Sequence, residues 1–137
     1  MKKIKVLIVD DHNLFRNGLK FILNQFDNLE VVGEASNGKE FLYFIENILL
    51  PDIVLLDISM PVMNGIESAK IALKNFPDLK IIVLTMYGET EYYNTMIELG
   101  VKGFILKDCD NKELKESIER VFAGGTYFSQ EILLSLI

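Results

Sequence analysis

The sequence has few of the side chains from which most redox and transition-metal sites are built. Among its 137 residues it has one cysteine, Cys109, and one histidine, His12. These counts exclude an internal disulfide, a multi-cysteine metal site and a histidine-rich zinc site. We expect His12 to be a surface side chain and Cys109 a loop thiol. The scarcity of cysteine favours a reducing cytoplasm as the compartment.

Clusters of positive charge and long apolar runs are also missing. There are 14 Lys and Arg residues against 20 Asp and Glu residues, which gives a formal net charge of -6. Sequence-independent binding of duplex DNA needs clustered cations that displace counterions, so this stretch alone is not expected to bind DNA. No run approaches the roughly 18 apolar residues of a membrane span, so we expect no membrane partner.

Apolar runs alternate with helical patterns along the whole chain. The runs are apolar on both faces, which predicts an α/β fold with a parallel sheet between layers of helices. The predicted strands are Ile4–Val9, Glu30–Ala35, Asp52–Leu56, Lys80–Thr85 and Lys102–Leu106. The predicted helices are one with Phe15, Leu19, Ile22 and Phe26 on a face, one with Phe41, Ile45 and Ile48 on a face, Asn64–Asn75, Glu89–Leu99, and 111–123 capped by Asp110.

Polar side chains follow or end four of these strands. Asp10 and Asp11 follow the first strand, Asp57 follows the third, Thr85 ends the fourth and Lys107 follows the fifth. Because the carboxyl ends of parallel strands meet at one edge of an open sheet, we expect these side chains to lie together. Clustered carboxylates raise one another's pKa, and a divalent cation removes that penalty.

Magnesium is the cation that this predicted cluster fits best, and Mn²⁺ is expected to substitute for it. Mg²⁺ prefers carboxylate oxygens together with water and phosphate oxygens. Lys107 supplies a positive charge for a phosphoryl oxygen, and Thr85 can donate one hydrogen bond. A carboxylate such as Asp57 can also be a nucleophile that forms an aspartyl phosphate.

Four stretches resemble the receiver domains of two-component response regulators: VLIVDDH, DIVLLDISMPVMNGIE, IIVLTMY and VKGFILKD. The resemblance covers about residues 3–122. It implies a flavodoxin-like, doubly wound sheet of five strands in the order 2-1-3-4-5, with helices on both faces. It also implies a signalling switch rather than an enzyme, with a sensor histidine kinase as its partner.

The resemblance assigns roles to the acidic residues. It implies that Asp57 is the phosphoacceptor and that Lys107 pairs with the phosphoryl group. Asp11 is expected to bind Mg²⁺ directly and Asp10 through water. Asp57 itself and the backbone carbonyl of Ser59 are expected to complete the metal site.

Other residues are expected to transmit the signal or to set the lifetime of the phosphoryl group. By the resemblance, Thr85 binds the phosphoryl group and forms a switch pair with Phe104. Ser59 and Tyr87 are expected to set the lifetime of the phosphoryl group. Ser59 is too small to hold an attacking water and Tyr87 is bulky, so we expect slow self-dephosphorylation.

An output surface is expected on the fourth helix and fifth strand. It is predicted to consist of exposed side chains at Tyr92, Tyr93, Met96 and Phe104, since exposed aromatics and methionine favour protein contacts. Phosphorylation is expected to promote formation of a homodimer through this face or a neighbouring helix.

Other stretches, HNLFRNGLKFIL, VVGEASNG, KGFILKD and GGTYFS, resemble the NarL/FixJ (LuxR-type) subgroup. In that subgroup a linker and a helix-turn-helix DNA-binding domain follow the receiver. We therefore expect a receiver domain at 1–124 and the start of an interdomain linker helix at 125–137, with Ser129 as its cap. DNA binding and control of transcription are expected only through a C-terminal domain outside these residues.

Three features depart from the common receiver pattern, one of which is Met86 after Thr85, where many receivers carry a smaller residue. Asp108, rather than proline, follows Lys107, so we expect a trans peptide bond there because a cis non-proline bond costs about 3–4 kcal/mol. The switch aromatic is Phe104 rather than tyrosine, so it has no hydroxyl group to exchange partners.

Three alternatives remain open. A phosphatase-type hydrolase with an aspartyl nucleophile has a second Asp two residues later as acid and base, where this chain has Ser59. A flavin- or nucleotide-binding module needs a phosphate-binding loop, and no GxGxxG or GxxxxGK[ST] stretch occurs. A receiver-like interaction module that is never phosphorylated is disfavoured by the full acidic set, Thr85 and Lys107.

Overall fold

Residues 2–86 and 90–135 are described by the computed structural model, in which strands and helices alternate as predicted. The strands are β1 Ile4–Val9, β2 Leu29–Ala35, β3 Ile53–Asp57, β4 Ile81–Thr85, β5 Gly103–Leu106 and β6 Tyr127–Phe128. The helices are α1 Asn13–Asn24, α2 Gly38–Asn47, α3 Gly65–Asn75, α4 Tyr93–Leu99, α5 Asn111–Phe122 and α6 Gln130–Ser135, and a short 3-10 helix, Thr90–Tyr92, precedes α4. None of the helices in these two ranges is long and apolar enough to cross a membrane.

The sheet has six strands, so the prediction of five strands is wrong. All pairs are parallel, and the order is β2-β1-β3-β4-β5-β6. The additional strand β6 lies beside β5, with the amide of Tyr127 donating to the Lys102 carbonyl and that of Ser129 to the Phe104 carbonyl, both at 3.0 Å. A strand of two residues has no periodic pattern, and it lies in the stretch predicted as linker. The boundary between receiver and linker stays a prediction.

Side chains alternate between the two faces of the sheet, and each face carries its own apolar core. β3 and β4 are buried at every position, as expected for central strands covered on both sides. α2, α3 and α4 supply the buried residues Phe41, Phe44, Ile45, Ala69, Ala72, Tyr93 and Met96 to one core. α1 and α5 supply Leu19, Leu23, Leu114, Ile118 and Val121 to the other.

Helix ends mostly follow their sequence signals. Asn37, Asn64 and Asp110 each accept a hydrogen bond from the backbone of the helix they precede. Two details of the prediction are wrong. The fourth helix is 3-10 over Thr90–Tyr92 and α-helical only from Tyr93, while Glu89, where it was predicted to begin, lies outside the described residues. Ile48 does not share the buried face of α2, because it lies past the end of that helix and its side chain is 62% exposed.

The connection from β3 to α3 is a tight loop that holds the end of β3 in place. The amide of Gly65 donates to the Ile58 carbonyl at 2.8 Å. A Cβ atom at Gly65 would collide with the backbone carbonyl of Asp57, so this close approach requires glycine. The start of α3 therefore packs directly against the backbone of Asp57, the predicted nucleophile.

Candidate phosphoacceptor and metal site

The parallel sheet brings the predicted site residues to one edge. Lys107 Nζ lies 2.8 Å from Asp10 Oδ2 and 3.3 Å from Asp57 Oδ1. The amide of Lys107 donates to the Thr85 carbonyl at 2.9 Å, which holds the ends of β4 and β5 together. Asp10, Asp57 and Thr85 are buried, and the side chain of Lys107 is nearly so.

Burial governs the electrostatics of this edge. Only 3% of Asp57 is exposed, and its burial, together with the charge of Asp10, raises the pKa of Asp57 to about 6 despite the opposing effect of Lys107. Burial also acts to lower the pKa of Lys107, but its contacts with Asp10 and Asp57 outweigh that effect and the pKa is raised. One ammonium group therefore does not compensate the buried carboxylates fully.

The carboxylates leave oxygen atoms available for a cation. Within the described ranges, Asp57 Oδ2 and Asp11 Oδ1 are buried atoms without a hydrogen-bond partner. One ligand atom from each of Asp10, Asp11, His12 and Asp57 lies within 4.8 Å of the others. Oxygen-rich donor sets of this kind suit Mg²⁺. Ser59 and Asp11 line the same cleft, whose volume is about 370 Å³.

Thr85 and Phe104 lie on the same face of neighbouring strands. Thr85 is fully buried and its hydroxyl donates to the Met86 carbonyl at 3.3 Å. The Phe104 ring makes an edge contact with Tyr93, at 5.0 Å between centroids, and a tilted contact with Phe128, at 6.1 Å. Tyr87, the predicted shield of the phosphoryl group, lies outside the described residues.

The predicted exposed output surface is wrong. Tyr93, Met96 and Phe104 are buried, and Tyr92 is half-buried. The side chains of Tyr93 and Met96 on α4 are instead buried, and the Tyr93 ring contacts Phe104 of β5. They belong to the apolar core on that side of the sheet.

Two residues that contact the site were not recognised from the sequence. Arg16 donates to the backbone carbonyl of Asp10, to Glu34 Oε1 at 3.2 Å and to Asn13 Oδ1 at 2.7 Å. The ring of Phe15 lies 4.9 Å from Lys107 Nζ. Their position in the first turn of the helix after the acidic pair is a usable signal, because that turn folds back over the strand end.

The loop after β5 agrees with the sequence expectations. No described peptide bond is cis, so the Lys107–Asp108 bond is trans. Cys109 is partly buried, and burial, with the nearby acidic residues Glu113, Asp110 and Asp108, raises its pKa to about 12. A thiol with so high a pKa is not reactive at neutral pH.

Comparisons with known proteins agree with this geometry. The family model described as "response regulator receiver domain" matches residues 6–119. The chain is 35% identical over 135 residues to the transcriptional regulatory protein DegU of Brevibacillus brevis, which covers 98% of this chain and 57% of DegU. The chain thus spans less than two thirds of the length of this curated relative.

Solved structures give the same result. The isolated receiver domain of RcsB from Salmonella enterica serovar Typhimurium, in the presence of the phosphomimetic BeF3-, has a TM-score of 0.86 at 26% identity and covers 97% of this chain and 98% of that one. A structure described as two RcsB dimers bound to two parallel DNAs has a TM-score of 0.89 at 26% identity, covering 98% of this chain and 68% of that one. The chain belongs to the response regulator receiver domain family of two-component systems.

Proposed function

We propose that this receiver domain is a phosphorylation-dependent switch whose phosphoacceptor is Asp57. The observation that carries the proposal is the placement of Asp57 beside Lys107 and the acidic pair, with Asp57 Oδ2 buried and unpartnered within the described residues. A carboxylate in this position is ionised for the most part at pH 7, given its pKa of about 6. It is therefore available as a nucleophile.

The chemical step is transfer of a phosphoryl group from a phosphohistidine of a sensor histidine kinase. The bond between phosphorus and the donor nitrogen breaks, a bond between phosphorus and a carboxylate oxygen of Asp57 forms, and the donor imidazole leaves with its electron pair. Asp11, Asp57 and the backbone carbonyl of Ser59 would hold Mg²⁺ or Mn²⁺ directly, and Asp10 would hold it through water. The bound cation would neutralise charge on the carboxylates and the phosphoryl oxygens.

The other site residues act on the phosphoryl group once it is attached. Lys107, already 3.3 Å from Asp57, would pair with a phosphoryl oxygen. Thr85 would turn its hydroxyl from the Met86 carbonyl toward another phosphoryl oxygen, and Phe104 would respond to that movement. Ser59 and Tyr87 would set the lifetime. The chain would catalyse no reaction other than its own phosphoryl uptake and loss.

The relatives support a role in gene regulation for the complete protein. DegU is described as a transcriptional regulator, and RcsB forms dimers on DNA. By this likeness, residues 1–124 are the receiver, 125–137 begin a linker, and a C-terminal domain binds DNA. Phosphorylation would promote homodimer formation. Analytical ultracentrifugation tests this by comparing the mass distributions of wild type and Thr85→Ala with and without beryllofluoride. The cytoplasmic location stays a prediction.

The decisive experiment is labelling by a small phosphodonor such as acetyl phosphate, followed by intact-mass measurement. One phosphoryl group should be added with Mg²⁺ or Mn²⁺ and none with a chelator. Asp57→Asn should abolish the addition, while Asp78→Asn, at an exposed aspartate far from the site, should leave it unchanged. Undiminished labelling of Asp57→Asn would show that the nucleophile is another residue.

The same experiment separates the alternatives. A phosphatase-type hydrolase would release phosphate continuously from a phosphomonoester in excess. An interaction module that is never phosphorylated would show no added mass under any condition. Only a receiver gains a single phosphoryl group that depends on both the cation and Asp57.

A further inference from the structure

The imidazole of His12 faces the acidic site, although it was expected to be an ordinary surface side chain. His12 precedes α1 at the N-cap position, and its side chain makes no capping hydrogen bond. Its Nδ1 atom lies 3.2 Å from Asp10 Oδ1 and 3.4 Å from Asp11 Oδ1, and its amide also donates to Asp10 Oδ1, at 2.8 Å. The side chain as a whole is 67% exposed, so the ring lies at the protein surface beside the acidic site.

These atoms are close enough together to be ligands of one ion. Neighbouring ligands of an octahedral ion with bonds of about 2.1 Å lie about 3.0 Å apart, and opposite ligands about 4.2 Å apart. One atom from each of Asp11, His12 and Asp57 lies within 4.8 Å of the others and of an atom of Asp10, which would hold the ion through water. Small shifts would therefore bring the first three to one ion. The buried Asp57 Oδ2, which has no hydrogen-bond partner among the described residues, is independent support for a cation site here.

We propose that His12 is an additional, nitrogen ligand of this metal site and that it shifts the preference of the site toward Mn²⁺, Co²⁺ or Zn²⁺ relative to Mg²⁺. The inference rests on the proposed metal site and concerns which ion that site selects. Imidazole nitrogen binds first-row transition metals well, whereas Mg²⁺ takes oxygen ligands and keeps its waters. Removal of the imidazole therefore weakens one class of ion and not the other.

A purely electrostatic role for His12 makes a different prediction. If the imidazole only donates a hydrogen bond to the carboxylates, its removal changes their charge density and alters the affinity for every divalent cation by a similar factor. The ratio of two affinities in the same variant therefore distinguishes coordination from electrostatics.

The experiment titrates wild type and His12→Ala with Co²⁺, followed by its visible absorption, and with Mg²⁺ by competition against Co²⁺, at a pH of about 8 where imidazole is ordinarily neutral. His12→Ala should weaken Co²⁺ binding by about tenfold or more, since loss of even a residue that only hydrogen-bonds to a metal ligand lowers metal affinity by about 10–100-fold. Mg²⁺ affinity should change less than about twofold. Leu14 is 88% exposed and its side chain has no polar atoms, so Leu14→Ala should change neither the Co²⁺ affinity nor the Mg²⁺ affinity.

A second measurement needs no variant. His12 is the only histidine in the sequence, so its ring protons are a unique signal in the nuclear magnetic resonance spectrum. Stoichiometric Co²⁺ should displace these signals by the large shifts of a directly bound paramagnetic ion. Signals that stay at their diamagnetic positions while Co²⁺ is bound would overturn the proposal.

The outcomes separate this proposal from the proposed function. Equal losses for Co²⁺ and Mg²⁺ in His12→Ala would overturn coordination by His12 and leave the metal site intact. If neither ion binds wild type, or if Asp11→Asn binds both as tightly as wild type, the metal site itself is wrong and both proposals fall.

Discussion

The site has an acidic side and an aromatic side that differ. The acidic side consists of Asp10 and Asp11, which follow β1, and Asp57, which ends β3. The aromatic side lies around β4, β5 and β6 and consists of Thr85, Tyr93, Phe104 and Phe128. On the acidic side, buried oxygens lack hydrogen-bond partners among the described residues. On the aromatic side, the hydroxyl of Thr85 is paired and the Phe104 ring is enclosed by two other rings. The two sides share one edge of one sheet.

This difference shows that the two sides contribute to stability with opposite signs. Burying an aromatic ring in a packed core stabilises the fold by several kcal/mol. Burying an incompletely compensated carboxylate destabilises it, which is consistent with the raised pKa of Asp57. Binding of a cation or phosphoryl group therefore acts first on the acidic side, where the unfavourable charge lies.

Phe104→Ala should have the largest effect on stability. We expect the free energy of unfolding to fall by about 3–5 kcal/mol, because a fully buried ring that contacts Tyr93 and Phe128 is lost. Urea denaturation followed by circular dichroism measures it. Phe21→Ala, at a 68% exposed phenylalanine, is the matched control and should change stability by less than about 0.5 kcal/mol. Similar values for both variants would mean that the aromatic side is not a stabilising core.

Asp57→Asn should have the next largest effect, with the opposite sign. A pKa raised from 3.8 to about 6 corresponds to a cost of about 3 kcal/mol once the carboxyl is ionised. Because folding favours the protonated form, the cost is small below the unfolded pKa and grows as pH rises through the folded one. The metal-free variant should therefore be more stable than wild type by up to about 3 kcal/mol near pH 8 and by less than about 1 kcal/mol near pH 4.

Comparing the two proteins at each pH cancels other titrations. Glu34 and Glu119 have lowered pKa values, so their contributions are lost only as pH falls, and they are present in both proteins. Asp78→Asn, at an exposed aspartate, should show no such pH-dependent gain. A variant that is less stable than wild type at pH 8 would contradict the account of the acidic side.

Magnesium should stabilise the acidic side by a smaller amount. At a free Mg²⁺ concentration of about ten times its dissociation constant, wild type should gain about 1.4 kcal/mol in the free energy of unfolding. Asp57→Asn should gain less, because one ligand is gone. Choline chloride at equal ionic strength is the control for screening. An equal gain in both proteins would place the ion elsewhere.

The strand ends were predictable because their signal is local and strong. Four of the first five strands have a polar site residue at or just after their end, so parallel pairing alone places Asp10, Asp57 and Lys107 together. The unpartnered state of Asp57 Oδ2 was not predictable, because it depends on how many donors the folded loops deliver. The same holds for the direction of the His12 ring.

Contacts between distant segments were the main source of error. The sequence TYFS contains no pattern that predicts pairing of Tyr127 and Phe128 with β5, since a two-residue strand is defined only by its partner strand. Tyr93 and Met96 were predicted to be exposed, but the α-helix that carries them has only seven residues, which is too short for its periodicity to identify the buried face. Both errors concern the aromatic side, where the structure depends on packing rather than on local pattern.

The smallest expected effect joins the two sides. If a phosphoryl mimic draws Thr85 toward the acidic side and Phe104 moves in response, the contact between Phe104 and Phe128 must change, and with it the pairing of β6. The Ser129 amide, which donates to the Phe104 carbonyl, reports this directly. Beryllofluoride with Mg²⁺ should change its hydrogen-exchange rate by about fivefold, an opening-energy change of about 1 kcal/mol.

The Asp52 amide, which donates to the Lys5 carbonyl at the opposite end of the sheet, is the internal control and should change little. In Thr85→Ala the Ser129 response should disappear, because the hydroxyl that senses the phosphoryl oxygen is gone. An unchanged Ser129 rate in wild type would show that the two sides of the site are independent, and an equal response in Thr85→Ala would show that they are joined through another residue.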